Sequence, residues 1–245
     1  MSIYFTAGFP GLNDTHTILD SLQKFGADMI EIGMPYSDPL ADGPVIQHSS
    51  MVSLQNGFTI KWLFRQLHLS RRNLHLPLIL MGYLNPVLQF GIENFCIEAH
   101  KAGIDGIILP DLPLTVYETE YRPLFEKYGL HVVFLVTPET SDERIRKMDA
   151  ISTGFIYAVS SSSITGVEKN IAAQENYFRR LKALHLKNPI LIGFGIRDNS
   201  SFLSACRYAM GAIIGTAYIK SIENSGNIEQ GTKKFLNSIL EPEPV

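Results

Sequence analysis

The feature that most constrains the fold of this chain is a series of eight short apolar runs, each followed by a stretch with helical spacing. Most of these runs are apolar throughout, which is typical of parallel strands buried on both faces. Glycines that precede strands by a few residues, such as Gly26, Gly103 and Gly129, are expected to end helices with left-handed backbone. The predicted strands are Ile3–Thr6, Met29–Ile32, Leu78–Met81, Gly106–Leu109, Val132–Val136, Phe155–Val159, Ile190–Ile192 and Ala212–Ile214.

Eight strands and eight helices with no linker between them predict a (β/α)8 TIM barrel of class α/β, with residues 1–245 as one domain. The length of 245 residues agrees with the roughly 250 residues that such a barrel needs. An open doubly wound sheet is the alternative, but it usually has about five or six strands. Functional residues of a barrel lie at the C-terminal ends of its strands and in the loops that follow, so these positions are the ones to inspect.

Composition restricts the partners and the compartment. The formal net charge of −3 provides no basic field for nucleic acid or an anionic membrane, so an anionic ligand would need a local site. The two cysteines, Cys96 and Cys206, do not make a disulfide framework, and the histidines lack the spacing of metal ligands. No signal peptide and no apolar run of the ~20 residues needed for a membrane span are present, so we expect a soluble, cytoplasmic protein.

A carboxylate interrupts the second predicted strand. Glu31 lies between Ile30 and Ile32, and the alternation of side chains along a strand directs it to the opposite face. If the isoleucines face the helices, Glu31 faces the barrel interior, where an isolated carboxylate is costly unless it is protonated or paired. Glu31 is therefore either a group kept for chemistry or a satisfied internal hydrogen-bonding residue.

A loop rich in Pro, Gly and Asp follows and contains two further carboxylates, Asp38 and Asp42. Both could be turn formers, and for Asp38 that interpretation is favoured. Asp42 comes eleven residues after Glu31 and could fold back over the barrel mouth. Two carboxylates there could divide the work, one donating and accepting protons and the other acting as a fixed anion.

Glycines after the last two predicted strands indicate a phosphate site. Gly193 and Gly195 follow strand seven, and Gly215 follows strand eight, which are the places where these barrels bind phosphate through backbone N–H groups. No lysine or arginine completes a P-loop, so a phosphomonoester is favoured over a nucleoside triphosphate. The polar loop after strand six, residues 160–166, could close over a substrate as a lid or could be a flexible solvent loop.

These segments resemble the tryptophan synthase alpha chain family over essentially the whole sequence. The resemblance rests on Glu31–Pro44, Thr6–Pro10, Pro110–Pro113 and Gly193–Ile196. It implies a lyase of tryptophan biosynthesis, of the carbon–carbon/hydro-lyase class, that cleaves indole-3-glycerol phosphate to indole and glyceraldehyde 3-phosphate by a retro-aldol reaction. It also implies that this subunit needs no cofactor and no metal. The family's pyridoxal phosphate belongs to a beta subunit, which receives indole within an alpha2-beta2 heterotetramer.

The resemblance also implies roles for individual residues. The implied catalytic residues are Glu31, Asp42 and Tyr157. Glu31 matches the general acid–base, Asp42 the carboxylate that hydrogen-bonds the indole N–H, and Tyr157 a tyrosine that packs beside the glutamate. Ser161 stands where an arginine is common, Ser163 where a glycine is common, and Ile214 where a serine is frequent. The implied substrate-binding residues are Tyr4, Tyr83, Ile108, Thr165, Gly166, Gly193, Phe194, Gly195, Ile214, Gly215 and Thr216.

Two other functions remain open. A phosphosugar isomerase or an indole-glycerol phosphate synthase would share the barrel and the phosphate site, but the pair of Glu31 and Asp42 argues against both. The synthase would also be expected to have catalytic lysines at strand ends, which the sequence lacks there. A non-catalytic regulatory subunit that activates a beta partner would agree with the altered loop after strand six, whereas the retained carboxylates favour catalysis.

Overall fold

The computed structural model describes residues 1–39, 42–159, 174–193, 195–223 and 225–241. Its centre is a sheet of nine parallel strands, in the order β5-β4-β3-β2-β1-β9-β8-β7-β6. The strands are β1 (Ser2–Thr6), β2 (Met29–Gly33), β3 (Leu78–Met81), β4 (Gly106–Ile108), β5 (His131–Val132), β6 (Phe134–Val136), β7 (Ile156–Val159), β8 (Ile190–Gly193) and β9 (Gly211–Ile214).

Helices connect the strands and cover the outside of the sheet. More than one helix follows β2, β3, β4 and β9, and a π-helical stretch, Tyr117–Tyr121, joins the two after β4. Within the described ranges, no helix is long and apolar enough to cross a membrane. The helices are α1 (Thr15–Lys24), α2 (Pro44–Gln55), α3 (Ile60–Ser70), α4 (Leu84–Phe90), α5 (Ile92–Lys101), α6 (Leu114–Val116), α7 (Arg122–Lys127), α8 (Asp142–Ile151), α9 (Glu175–Ala183), α10 (Asn199–Cys206), α11 (Thr216–Glu223) and α12 (Ile228–Leu240).

The strands β5 and β6 are two parts of one extended segment that closes the sheet. β5 pairs with β4, and β6 pairs with β7. Between them, the N–H of Val133 donates to the carbonyl oxygen of Ile107 at 3.1 Å. The segment therefore joins the two ends of the strand order, and the predicted (β/α)8 barrel is confirmed. The open doubly wound sheet is excluded because the segment 131–136 pairs with β4 on one side and with β7 on the other, which leaves the sheet without an open edge.

The strand register assigns one face of each strand to the barrel interior. Residues that are partners on adjacent strands point to the same face, and successive residues alternate. Glu31 has Tyr4 and Ile79 as its partners, so these side chains share the interior, while Ile30 and Ile32 face the helices. Followed around the barrel, the register places these residues on the interior face: Ser2, Tyr4, Glu31, Gly33, Ile79, Ile108, Leu135, Tyr157, Leu191, Gly193 and Ile213.

Burial on both faces explains why most of the strands are apolar throughout. The outward-facing Ile30 and Ile32 have no exposed surface, and neither do Ile18 and Leu22 of α1. Burying such side chains contributes about 1.5–3 kcal/mol each, which stabilises the layer between helices and sheet. Polar residues within these strands are therefore exceptions, and they indicate that a functional site would lie in the interior near the mouth.

The glycines predicted to end helices do so. Gly26 follows α1, Gly103 follows α5 and Gly129 follows α7, with φ angles of 100°, 68° and 67°. Other residues adopt this left-handed backbone only at a cost, because their Cβ atom crowds the chain. Each glycine turns the chain out of a helix just before the next strand begins.

Candidate active site

Glu31 is fully enclosed in the barrel interior, as the alternation along its strand predicted. Its side chain has 0% exposed surface. The hydroxyl of Ser2 donates a hydrogen bond to Oε1 at 2.9 Å, whereas Oε2 is buried and has no hydrogen-bond partner among the described residues. Burial raises the pKa of Glu31 to about 8, although the hydrogen bond from Ser2 lowers it in part. The carboxyl group is therefore mostly neutral at pH 7 and can donate a proton.

Asp42 approaches the same region from the loop between β2 and α2. Its backbone forms a turn, because its N–H donates to Pro39 O at 3.0 Å and its carbonyl accepts from Gln47 Nε2 at 2.9 Å. Burial raises the pKa of the Asp42 carboxyl to about 6, and a hydrogen bond from Tyr83 acts in the opposite direction. Asp42 is thus mostly ionised at pH 7, so the two carboxyl groups differ in charge.

Two tyrosines connect the carboxyl groups electrostatically. Burial, followed by the charge of Asp42, raises the pKa of Tyr4, and Glu31 adds to the effect. Burial, followed by the charges of Glu31 and then Asp42, raises the pKa of Tyr157 well above its ordinary value. Since the charges of both carboxyl groups affect the pKa of each phenol, the four side chains lie in one cluster. The raised pKa values keep both phenols neutral at physiological pH.

Glycines make room for these two tyrosines. A Cβ atom on Gly33, at the end of β2, would overlap the hydroxyl of Tyr4. A Cβ atom on Gly193, at the end of β8, would overlap the hydroxyl of Tyr157. The predicted role of Gly193 was to allow close approach of a phosphate, and the structure adds a second role, which is to admit the ring of Tyr157.

The residue that hydrogen-bonds Asp42 is itself held from two sides. The ring centroids of Tyr83 and Tyr36 are 5.1 Å apart. The next N–H along the chain, that of Leu84, donates to both carboxylate oxygens of Asp111 at 2.9 and 3.1 Å. Asp111, in the loop after β4, therefore caps α4 and fixes the backbone beside Tyr83. Neither the Tyr36 contact nor this cap was predicted, because both partners are remote in sequence.

The remaining predicted positions other than Ile214 divide into three groups. Ile108 is fully buried and lies on the interior face at the end of β4, level with Met81. The second group lies where a phosphate was expected. Gly195 follows β8 with a φ angle of 77°, and Gly215 alone separates β9 from α11, whose first residue is Thr216. The third group, Thr165, Gly166 and Phe194, lies outside the described residues, as do Ser161 and Ser163.

The side chain of Ile214 lies on the outer face of β9. It pairs with Ile3, and Ile3 in turn pairs with Ile30. These three residues occupy the helix-facing side of the sheet, opposite to Tyr4. Alternation along β9 turns the Ile214 side chain away from the interior, so a contact between Ile214 and the substrate would have to be made by its backbone.

Ser2 belongs to the site and was not predicted. It is 2% exposed and precedes Tyr4 by two residues on the same face of β1. A sequence signal existed, because Ser2, Tyr4 and Thr6 alternate with Ile3 and Phe5. Such polar alternation in a strand that is buried on both faces indicates an interior with polar partners.

Fold and site together define a class of protein, namely a (β/α)8-barrel enzyme with two carboxyl groups of raised pKa, one in the barrel interior and one at the mouth, where such barrels have their active sites. Comparisons with known proteins identify the particular family. The family model described as "Tryptophan synthase alpha chain" matches residues 2–242. The chain belongs to the tryptophan synthase alpha chain family.

Individual relatives agree over nearly the full length. The tryptophan synthase alpha chain of Flavobacterium psychrophilum is 53% identical, with 98% of this chain and 94% of the relative covered. That of Bacteroides thetaiotaomicron is 45% identical, with 98% and 94% covered. The solved structure of the tryptophan synthase alpha subunit from Pyrococcus furiosus superposes with a TM-score of 0.89 at 34% identity, with 98% of this chain and 97% of that chain covered.

Proposed function

We propose that this chain catalyses the retro-aldol cleavage of indole-3-glycerol phosphate to indole and glyceraldehyde 3-phosphate, as a lyase of tryptophan biosynthesis. The observation that carries the proposal is that the two carboxyl groups, those of Glu31 and Asp42, have different pKa values. The pKa of Glu31 is about 8 and that of Asp42 is about 6, so near neutral pH one group holds a proton and the other a charge. Membership of the tryptophan synthase alpha chain family supplies the substrate on which such a pair would act.

In the proposed reaction, neutral Glu31 transfers its proton to C3 of the indole ring. Ionised Asp42 accepts a hydrogen bond from the indole N–H and stabilises the positive charge that develops on the ring. The Glu31 carboxylate then takes the proton of the glycerol hydroxyl next to the ring. As that hydroxyl becomes an aldehyde, the bond between C3 and the side chain breaks, and its electron pair restores the aromatic indole.

The surroundings of the pair suit this substrate. Tyr4, Tyr157 and Ile108 are buried beside Glu31 or on the same interior face and offer apolar and aromatic surface to an indole ring. The side chain of Tyr83 is hydrogen-bonded to the carboxyl group of Asp42. We assign Tyr157 to packing beside Glu31 and not to proton transfer, because its raised pKa keeps the phenol neutral.

We assign the substrate phosphate to the ends of β8 and β9. Gly193 ends β8, Gly195 follows it, and Gly215 precedes α11, which begins at Thr216. The first N–H groups of a helix have no partner within the helix and favour an anion. This end of the barrel could therefore hold a phosphomonoester through backbone groups, with the Thr216 hydroxyl nearby.

We further propose a tryptophan synthase beta subunit as the partner, in an alpha2-beta2 complex. The pyridoxal phosphate of the overall reaction would then be held by the beta subunit, and no cofactor would be needed in this chain. The loop Pro35–Pro44 is a candidate contact because it lies at the mouth, through which indole must leave. Ser37 and Asp38 on this loop are exposed.

The proposed reaction and partner are tested by measuring indole release from indole-3-glycerol phosphate by the purified chain, with and without a tryptophan synthase beta subunit. We expect slow cleavage alone and a strong increase with the beta subunit. Glu31→Gln keeps the shape but removes the titrating proton, so it should abolish release while substrate binding remains. Asp42→Asn should lose most of the activity.

The outcomes separate the alternatives. No cleavage by folded protein in either condition would favour the ligand-binding regulatory subunit over an enzyme. Near-normal turnover by Glu31→Gln would contradict the proposed role of Glu31 as the proton donor. An unchanged rate in Asp42→Asn would mean that Asp42 only forms the turn.

A further inference from the structure

The hydrogen bond between Ser2 and Glu31 joins two buried side chains of neighbouring strands. The Ser2 hydroxyl donates to Glu31 Oε1 at 2.9 Å, and the two residues are 2% and 0% exposed. Water does not compete for a hydrogen bond in such a place, so the contact is persistent and its geometry is defined.

The register explains how the two residues meet. Tyr4 is the partner of Glu31, whereas Ser2 is the partner of Met29. Ser2 thus lies two residues, or about 7 Å, nearer to the N-terminal end of the barrel. To reach it, the glutamate side chain leans along the interior towards the N-terminal end of the barrel. The contact therefore fixes the direction of the side chain as well as one of its oxygens.

The contact also distinguishes the two carboxyl oxygens. Oε1 accepts the hydrogen bond from Ser2, whereas Oε2 accepts none from the residues that the structure describes. In a neutral carboxylic acid one oxygen is a carbonyl acceptor and the other carries the proton. A donor fixed at Oε1 makes that oxygen the carbonyl, so the proton resides on Oε2.

We propose that Ser2 is a positioning residue for the reaction, which anchors Glu31 through Oε1 so that Oε2 carries the proton delivered to the substrate. The inference rests on the proposed function and deepens it. Ser2 does not touch the reacting atoms, so its effect passes entirely through Glu31.

The other titratable groups around Glu31 ionise in different pH ranges from Glu31, so its ionisation can be followed separately. Tyr4 from β1 and Tyr157 from β7 have raised pKa values because they are buried, so neither ionises before Glu31. Asp42, from the loop after β2, ionises on the acid side, with a pKa of about 6. The alkaline limb of a pH profile of activity therefore reports Glu31.

The test compares Ser2→Ala with the wild type over pH in the intact chain. Loss of the donor should lower kcat about tenfold, with KM within about twofold, because a hydrogen bond of ordinary strength is lost. Since the hydrogen bond lowers the pKa of Glu31, the alkaline limb should move up by as much as about one pH unit. Ser2→Thr keeps the hydroxyl and should restore both properties.

A second readout does not depend on activity. In infrared difference spectra near pH 6, the carbonyl stretch of neutral Glu31 is the band that Glu31→Gln lacks. Ser2→Ala should move this band to higher frequency, because the carbonyl loses its donor. Ser2→Cys keeps the volume with a weaker donor and should give an intermediate position, which covers the case in which Ser2→Ala fails to fold.

Ser152→Ala is the matched control. Ser152 is also buried, and its hydroxyl donates to Val132 O at 2.9 Å, but it lies away from the site. It should lower stability and leave both the alkaline limb and the infrared band unchanged. An unmoved limb and an unmoved band in Ser2→Ala would overturn the inference even if the wild type cleaves substrate. Absence of cleavage by the wild type would instead count against the proposed function, while the band would still test the contact.

Discussion

At the scale of single residues, the site depends on two carboxyl groups that have different environments. Glu31 is enclosed by the barrel, and among the described residues only Ser2 offsets the effect of burial on its pKa. Asp42 lies on a loop at the mouth, is only partly buried and is hydrogen-bonded by Tyr83. A larger loss of hydration favours the neutral form more strongly, so Glu31 is the weaker acid, and an acid and an anion coexist near neutral pH.

This difference predicts a bell-shaped dependence of kcat/KM on pH. Both pKa values are raised, so each group is neutral below its value and ionised above it. Activity should fall below about pH 6 as Asp42 gains a proton, and above about pH 8 as Glu31 loses the proton that it must donate. The measurement is the initial rate of indole release between pH 5 and pH 9.5 at constant ionic strength and low substrate concentration.

The residual activity of Asp42→Asn supplies the control for this profile. Its acid limb should disappear because the titrating group is gone, while its alkaline limb should stay near that of the wild type. An alkaline limb near pH 5 in the wild type would mean that Glu31 ionises as an ordinary glutamate, and the proton-donor role would fail.

At the scale of elements, the loop that carries Asp42 is fastened at both ends. It leaves β2 after Gly33 and enters α2, which is bonded to the segment that follows β1. Ser53 Oγ donates to Ala7 O at 2.5 Å, and Asn56 Nδ2 donates to Pro10 O at 2.9 Å. The polar side of α2 therefore holds this helix against the barrel, so the Asp42 loop is attached to rigid structure on either side.

The fit between β7 and β8 gives a prediction at the same scale. Gly193→Ala would place a Cβ atom on the hydroxyl end of Tyr157, so the ring must move into the space beside Glu31. We expect a loss of about 1–3 kcal/mol in the free energy of unfolding and at least a tenfold loss in kcat/KM. Denaturant unfolding and indole release measure the two effects.

Gly43→Ala provides the comparison for an added methyl group. Gly43 is the N-cap of α2 with a φ angle of −73°, and no atom lies within 4 Å of the new Cβ position. Only the poorer capping by alanine should count, so the loss in the free energy of unfolding should stay below about 1 kcal/mol. Equal stability losses in the two variants would show that the clearance for Tyr157 is not what requires glycine at position 193.

At the scale of the whole molecule, closure of the barrel brings the site together. Glu31 is on β2 and Tyr157 is on β7, and these two strands lie on opposite sides of β1 in the strand order. They face one another only because the sheet curves into a barrel and residues 131–136 connect its ends. The site therefore depends on closure at a point that contains no site residue.

Closure can be tested at Val133. Val133→Pro removes the N–H that donates to Ile107 O and leaves that buried carbonyl without its donor, whereas Val133→Ala only shortens the side chain. We expect Val133→Pro to lose about 1–3 kcal/mol more than Val133→Ala in the free energy of unfolding. Thermal and denaturant unfolding provide the comparison. Equal losses in the two variants would mean that this hydrogen bond is not needed to hold the barrel closed.

The barrel and the principal acid were predictable because both depend on local patterns. Runs that are apolar throughout identify strands buried on two faces, and the alternation around Glu31 determines which face its side chain takes. The ends of the predicted strands agree with the structure to within about one residue. The break of the fifth strand at Val133 was not predicted, since nothing local in Val132–Val136 separates the residues that pair with β4 from those that pair with β7.

The sequence by itself determined the fold, the interior position of Glu31 and the glycine-rich ends of the last two strands, because spacing and residue type encode these features within a few positions. Only the tertiary structure decided that Ser2 bonds Glu31, that Asp111 caps the helix beside Tyr83 and that Ile214 faces the helices. These facts depend on which residues of different strands and loops become neighbours. That pairing follows from register and closure, which are properties of the assembled sheet and not of any one segment.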